Sequence, residues 1–153
     1  TGPFDGSADP SVNKEDFLFG ISKSMKFLCA NPDIVVDRGE VRQWCAGALA
    51  KMYTEMGGES LYFGKPHNAI YDLARMRLAE LGTPIDSKKI LAIGDGIGTD
   101  IKGANSQEID SLFVTGGLAA KETQTSYSPN PEALEKYITK QKVQCTYSIG
   151  YLQ

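Results

Sequence analysis

Apolar residues recur along the chain with two periods, one typical of helices and one typical of buried strands. The clearest helical stripe, which Gly82 ends, is formed by Ile70, Leu73, Ala74, Leu78 and Leu81. Similar spacing predicts further helices over 13–25, over 44–56, from about residue 100, and over 131–140. Short apolar runs predict strands over 26–30, 61–63, 90–93, 112–115 and 145–149, with a loop and a turn at Gly39 between the first two. Alternating helices and strands favour an α/β fold built on a parallel sheet.

The composition restricts the class of protein further. The 153 residues are 41% hydrophobic and 23% charged, which is ordinary for a soluble globular protein. A formal net charge of -3 leaves no basic excess to meet nucleic acid or an anionic membrane surface, and no apolar run is long enough to span a bilayer. Three widely spaced cysteines predict reduced thiols and a cytoplasmic location. A single histidine, His67, excludes a multi-histidine zinc site.

The stretch ILAIGDGIGTDIKGA, residues 90–104, carries the most candidate chemistry. Its glycines follow the spacing G-x-G-x-G rather than the G-x-G-x-x-G of dinucleotide-binding turns, and Asp95 would repel a bare pyrophosphate. In a purely structural interpretation, Thr99 caps the next helix and Asp100 occupies its first turn. That interpretation does not explain Asp95, which stands at the carboxyl end of a predicted buried strand, where open α/β sheets place their ligand sites.

A magnesium site formed by Asp95 and Asp100 explains both acids. Two carboxylates about 4 Å apart repel each other by roughly 4 kcal/mol at an effective dielectric constant of about 20, and a divalent cation relieves that repulsion. Mg²⁺ takes one or two carboxylates and completes its shell with water and substrate phosphate oxygens. The loop therefore predicts Mg²⁺ as the cofactor and a phosphorylated substrate.

Lys65 is a candidate phosphate anchor. It follows a predicted strand and precedes a predicted helix, with Pro66 expected in the first helical turn. A cation and a helix amino terminus that point at the same place attract an anion. The alternative is an ordinary surface lysine, but the acidic loop after the next strand favours the functional interpretation.

These motifs resemble a known family. Gly64-Lys65-Pro66 followed by G-D-x-x-x-T-D-I at 94–101 resembles the third and fourth motifs of the haloacid dehalogenase (HAD) superfamily. The segments CANPD at 29–33, CAGAL at 45–49 and VTGG at 114–117 are similar to its class IIA branch of NagD-like sugar phosphatases. The resemblance implies a Rossmann-like core with an inserted α/β cap. Residues 1–59 would be the later part of the cap, and residues 60–153 the later part of the core.

The resemblance also implies roles for single residues. Asp95 would be the direct magnesium ligand, and Asp100 would support the metal shell or orient the lysine. Lys65 would stabilise the nucleophile and the phosphoryl charge. Asn31 and Asp33 would lie in the substrate-facing part of the cap, although an Asx-Pro turn that ends a strand explains them equally well.

The family's amino-terminal D-x-D motif, which supplies the aspartate nucleophile, does not occur in this sequence. We therefore expect the chain to be the carboxyl-terminal half of a phosphatase that acts on small phosphorylated metabolites, inactive by itself. A non-catalytic module that has kept the metal loop for binding is the alternative. A receiver-like signalling domain fits less well, because its acidic pair precedes its lysine in sequence.

The resemblance finally predicts how the strand that precedes Asp95 is paired. One neighbour would be the strand over 112–115, and the other would be the strand that bears the nucleophile, which this sequence lacks. A bare edge along 90–93 invites association. We expect that edge to be covered by the missing half of the enzyme, or otherwise by a second copy in a homodimer.

Overall fold

A computed structural model of the chain describes residue 3 and the ranges 5–82 and 85–152. It forms two compact units, the first ending at Gly64 and the second beginning at Lys65. The described elements of the first unit are α1 (Lys14–Ser22), β1 (Lys26–Cys29), β2 (Val35–Arg38), β3 (Val41–Trp44), α2 (Ala46–Glu55) and β4 (Glu59–Tyr62). Strand β4 pairs in parallel with β1 and thus belongs to the first unit. For this reason the units divide about five residues later than the predicted boundary at 59 and 60.

Strands β2 and β3 form an antiparallel hairpin that the sequence analysis took for a loop. The turn at Gly39 is where it was predicted, with the glycine in the left-handed region at φ 62°. Arg42 and Asp37 face each other across the two strands and form a salt bridge at 2.7 Å. The strands were missed because each is only four residues long and carries polar or charged side chains at two of its four positions.

Three aromatic rings form the centre of the first unit. Phe17 from α1 meets Phe27 from β1 and Tyr53 from α2 edge-on, with ring centroids 5.8 and 5.5 Å apart. The Tyr53 hydroxyl donates a hydrogen bond to the carbonyl of Met25 at 2.6 Å, so its polar end is satisfied inside the core. Packing of these rings holds α1 and α2 against the two-stranded sheet of β1 and β4.

The second unit is built on a three-stranded parallel sheet. Its described elements are α3 (Asn68–Glu80), β5 (Leu91–Gly94), α4 (Lys102–Ser106), β6 (Asp110–Val114), α5 (Pro131–Gln141) and β7 (Tyr147–Ile149). The strand order is β5-β6-β7. The core contains Ile101 and Phe113, both fully buried, and the Phe113 ring stacks on Tyr137 of α5. The predicted α/β fold with a parallel sheet is confirmed.

The pairing of β5 with β6 is as expected, but no described strand covers the other edge of β5. Leu91 and Ile93 on this strand are 44% and 51% exposed. Within the described residues, β5 thus has a short apolar edge that no strand pairs with. Coverage of this edge by the missing half of the enzyme, or by a second copy, stays a prediction.

Helix α3 also keeps an apolar surface in contact with solvent. None of its residues is buried, and the predicted apolar stripe includes Ile70 and Leu73, which are 37% and 44% exposed. The helix contacts the rest of its unit through a more polar face instead. Within the described ranges, no helix combines the length and the apolar character needed to cross a membrane.

The aromatic centre of the first unit gives a matched test of stability on one helix. Phe17→Ala should lower the free energy of unfolding by about 3–5 kcal/mol, because it leaves a cavity between α1, β1 and α2. Phe19→Ala should change it by no more than about 1 kcal/mol, since Phe19 is 63% exposed. Urea unfolding followed by circular dichroism measures both, and equal losses would show that α1 does not pack as described.

Candidate active site

Asp95 lies where two neighbouring strands end. It follows β5 directly, and the loop after the parallel neighbour β6 reaches it, so that the amide of Leu118 donates a hydrogen bond to Asp95 Oδ2 at 3.1 Å. A Cβ atom at Gly117 would overlap with the Asp95 carboxylate. The glycine therefore lets the second loop approach the acid closely. The sequence analysis predicted Asp95 but not the Leu118 amide.

Asp100 is the most enclosed acid of the site, with a side chain only 11% exposed. It belongs to a π-helical turn, Ile97–Ile101, that leads into α4. Its Oδ2 atom accepts a hydrogen bond from the Gly96 amide at 3.0 Å, and its Oδ1 atom forms an ion pair with Lys65 Nζ. Both carboxylate oxygens thus have a partner in the chain, as a buried charge requires.

The glycines of the loop make room for this carboxylate. A Cβ atom at Gly94 would overlap with the carboxyl group of Asp100, and one at Gly96 would lie 3.0 Å from its Oδ2 atom. The Gly96 amide donates its hydrogen bond to Asp100 of the same loop. In a dinucleotide-binding turn, amides of this kind would face a pyrophosphate instead. Thr99 does not cap the helix as the structural interpretation expected, since the turn has Gly96 at its amino end and no side-chain cap.

Lys65 opens the second unit, and its side chain is 51% exposed. The ammonium group of Lys65 thus contacts the enclosed Asp100, while about half of the lysine side chain is open to solvent. Helix α3 begins at Asn68, so Pro66 precedes the first turn and is not part of it, contrary to the prediction. The structure brings Lys65 and Asp100 together across 35 positions of sequence.

Tyr71 lies beside this ion pair, and the sequence analysis did not identify it. Burial raises the pKa of the Tyr71 hydroxyl, the Asp100 charge raises that pKa further, and Lys65 lowers it. The hydroxyl also contacts Gly103, where an added Cβ atom would overlap with it. No motif signalled this residue, because its place in the site follows from how α3 packs on α4.

The donor set of the second unit fits a hard divalent cation. Asp95 and Asp100 offer carboxylate oxygens, which Mg²⁺ prefers, and two such acids suffice when water and phosphate complete the shell. Only one Asp95 oxygen accepts a described hydrogen bond, whereas both Asp100 oxygens do. Among the described residues, no group of three or more His, Cys, Asp or Glu side chains is placed to hold a metal ion. Water and phosphate oxygens would therefore have to complete the shell.

Asn31 and Asp33 belong to the first unit, whereas the three residues above belong to the second. The Asn31 Oδ1 atom accepts a hydrogen bond from the Asp33 amide at 3.4 Å, and the Asp33 carbonyl accepts one from Gly47 at the start of α2. The first of these contacts is that of an Asx turn, which was given as the alternative. Asn31 also lines a cleft of about 790 Å³ together with Arg38 and Trp44 of the hairpin.

Two glycines of the loop give a matched test of the site. Gly94→Ala should displace the Asp100 carboxylate and lower the free energy of unfolding by about 1–3 kcal/mol, as overpacking does. Gly98→Ala should be neutral or slightly stabilising, because nothing lies within 4 Å of the added Cβ atom. Thermal unfolding of both variants checks this, and equal stability would mean that the loop does not enclose Asp100.

Comparison with known proteins identifies the family of the chain. The Hydrolase-like family model, described as HAD-hydrolase-like, matches residues 62–140. A 5′-nucleotidase, YutF of Bacillus subtilis, is 30% identical over 127 residues, which cover 80% of this chain and 48% of YutF.

Two solved structures share the fold. A haloacid dehalogenase-like hydrolase from Brucella suis is 34% identical with a TM-score of 0.79, and the match covers 100% of this chain and 54% of that protein. A p-nitrophenyl phosphatase from Archaeoglobus fulgidus is 19% identical with a TM-score of 0.67, and the match covers 95% of this chain and 52% of that protein. The chain thus spans about half the length of these relatives. The family model covers Lys65, Asp95 and Asp100, and it covers more than half of the chain. The resemblance inferred from the motifs is confirmed, and the chain belongs to the HAD-like hydrolase family.

Proposed function

We propose that this chain is the carboxyl-terminal half of a magnesium-dependent phosphohydrolase that cleaves phosphate monoesters through an aspartyl-phosphate. The observation that carries the proposal is the ion pair of Lys65 with the enclosed Asp100, on the same loop in which Asp95 follows the end of β5. Family membership supports the reaction type, because two named relatives are a 5′-nucleotidase and a p-nitrophenyl phosphatase.

Asp95 is the proposed direct ligand of Mg²⁺. Its second carboxylate oxygen has no hydrogen bond among the described residues, and the Leu118 amide fixes the orientation of the group. Asp100 would add negative charge close to the ion and hold the lysine. Mg²⁺ bound there would neutralise phosphate charge and orient the phosphoryl group.

Lys65 is the proposed stabiliser of charge on the transferring phosphoryl group. An ammonium group held by Asp100 is placed in advance, so little reorganisation is needed when charge develops. The exposed part of the side chain leaves the lysine accessible to a substrate.

The nucleophile would come from the half of the enzyme that this sequence lacks. In the proposed reaction, an aspartate oxygen attacks phosphorus and the bond to the ester oxygen breaks. The alcohol then leaves with a proton from the second acid of the D-x-D motif. Water next cleaves the aspartyl-phosphate, which releases phosphate and regenerates the carboxylate. A non-catalytic binding module remains the alternative, since the metal loop could bind phosphate without this partner.

The surface of the second unit supports a partner segment. Leu91 and Ile93 on the free edge of β5 are exposed, and so are Ile70 and Leu73 on α3. Exposed apolar residues on an edge strand and on a helix are typical of surfaces that another segment covers. The proposed partner is the amino-terminal half, since relatives of this chain are about twice as long. A homodimer that buries the same edge is the competing arrangement.

The proposed substrates are small phosphorylated metabolites, with Asn31 and Asp33 in the part of the cap that selects among them. Asn31 supports this through its place in the cleft with Arg38 and Trp44. The three cysteines, Cys29, Cys45 and Cys145, are all free, as expected in the reducing cytoplasm where we propose that the enzyme works.

The 153-residue chain alone should show no phosphatase activity with Mg²⁺ and p-nitrophenyl phosphate, because no residue supplies the nucleophile. Adding the amino-terminal half of the longer protein should restore turnover, and Asp95→Asn should abolish the restored activity. Asp72→Asn, on the exposed side of α3, is the charge-matched control and should keep it. Turnover by the isolated chain would refute this assignment of the site, and self-association without rescue would favour the homodimer.

In the longer enzyme, Lys65→Ala should lower kcat by about 10²–10³ while KM changes little, as expected for a group that acts mainly on developing charge. Lys102→Ala, an exposed lysine of α4, is the control and should leave both constants unchanged. Steady-state kinetics measures both. A near-normal kcat for Lys65→Ala would place the lysine among ordinary surface residues.

A further inference from the structure

Helices α3 and α4 contact each other through a small set of complementary residues. Gln107, at the end of α4, donates a hydrogen bond from Nε2 to Asn68 Oδ1 at 2.9 Å and accepts one at Oε1 from Arg75 at 2.6 Å. Asn68 and Arg75 are seven residues apart, so one glutamine side chain spans two turns of α3. Tyr71 lies between them on the same face and contacts Gly103, one turn before Gln107.

This contact lies just beyond the two charged residues of the site. Lys65 stands three residues before α3, and Asp100 stands two residues before α4. Any sliding or rotation of one helix against the other would therefore move the ammonium group relative to the carboxylate. The match of Tyr71 to Gly103 is close, because a Cβ atom there would overlap with the hydroxyl and lie 2.9 Å from the ring atom Cζ.

We propose that Tyr71 and Gln107 are positioning residues that hold Lys65 on Asp100 through the packing of α3 against α4. The inference rests on the proposed function for its purpose, the presentation of the lysine to a phosphoryl group. Its geometry is independent of that function. The two side chains act in different ways, since the tyrosine fixes how closely the helices approach and the glutamine fixes their register.

The test follows the Lys65 ammonium signal in ¹H–¹⁵N spectra of the chain at low temperature, assigned by its loss in Lys65→Gln. In the unmodified chain the ion pair with Asp100 should slow proton exchange. Gly103→Ala should push the ring of Tyr71 away and raise the exchange rate roughly tenfold, which corresponds to about 1.4 kcal/mol. Tyr71→Phe removes the overlapping oxygen, so the double variant Gly103→Ala with Tyr71→Phe should recover most of the protection.

A second variant keeps the test decisive if Gly103→Ala does not fold. Gln107→Ala removes both hydrogen bonds between this side chain and α3, and it should also speed proton exchange at Lys65. Gln141→Ala, at the exposed end of α5, is the control and should not change that exchange. Unchanged exchange at Lys65 in Gln107→Ala and in a folded Gly103→Ala, with only a loss of stability, would overturn the proposal. The readout needs neither metal nor turnover, so a longer enzyme without phosphatase activity would refute the proposed function and leave this inference standing.

Discussion

The burial of one carboxylate organises the second unit. Asp100 has a side chain that is 11% exposed, and a buried charge is costly unless both oxygens find partners. The Gly96 amide satisfies one oxygen and Lys65 the other. This requirement explains the glycines at 94 and 96, which leave space for the carboxyl group. It also explains why Lys65, the first residue of the second unit, contacts Asp100 in the segment that follows β5.

The same requirement gives the two acids of the site, Asp95 and Asp100, different hydrogen-bond partners. Asp100 is occupied by the chain's own donors, whereas Asp95 accepts one hydrogen bond from the described residues, from the Leu118 amide in the loop after β6. Parallel pairing of β5 with β6 places both loops at one edge of the sheet, where ligand sites of open α/β sheets lie. Acid, lysine and amide come from three segments that are distant in sequence. This geometry supports different roles for the two acids. Asp95 would bind a metal cation, and Asp100 would position the ammonium group of Lys65.

The sequence predicted the parts of this account that depend on local pattern. Asp95 was identified because it ends an apolar run, and Lys65 because it separates a strand from a helix. The hairpin over 35–44 was missed, since its strands are only four residues long and mix apolar positions with charged ones such as Asp37 and Arg42. Tyr71 and Gln107 could not be found either, because their roles depend on the register of α3 against α4. The stripe of α3 was recognised, but periodicity does not say which segment covers it, and the described chain leaves it exposed.

A crystal structure of the longer enzyme with Mg²⁺ and a phosphate analogue would test the central claim most directly. The account predicts an Asp95 oxygen about 2.0–2.1 Å from the metal, the usual Mg²⁺ distance. It also predicts that Lys65 Nζ contacts both Asp100 and the analogue. A metal ion outside the reach of Asp95, or a Lys65 side chain paired with another acid, would contradict it.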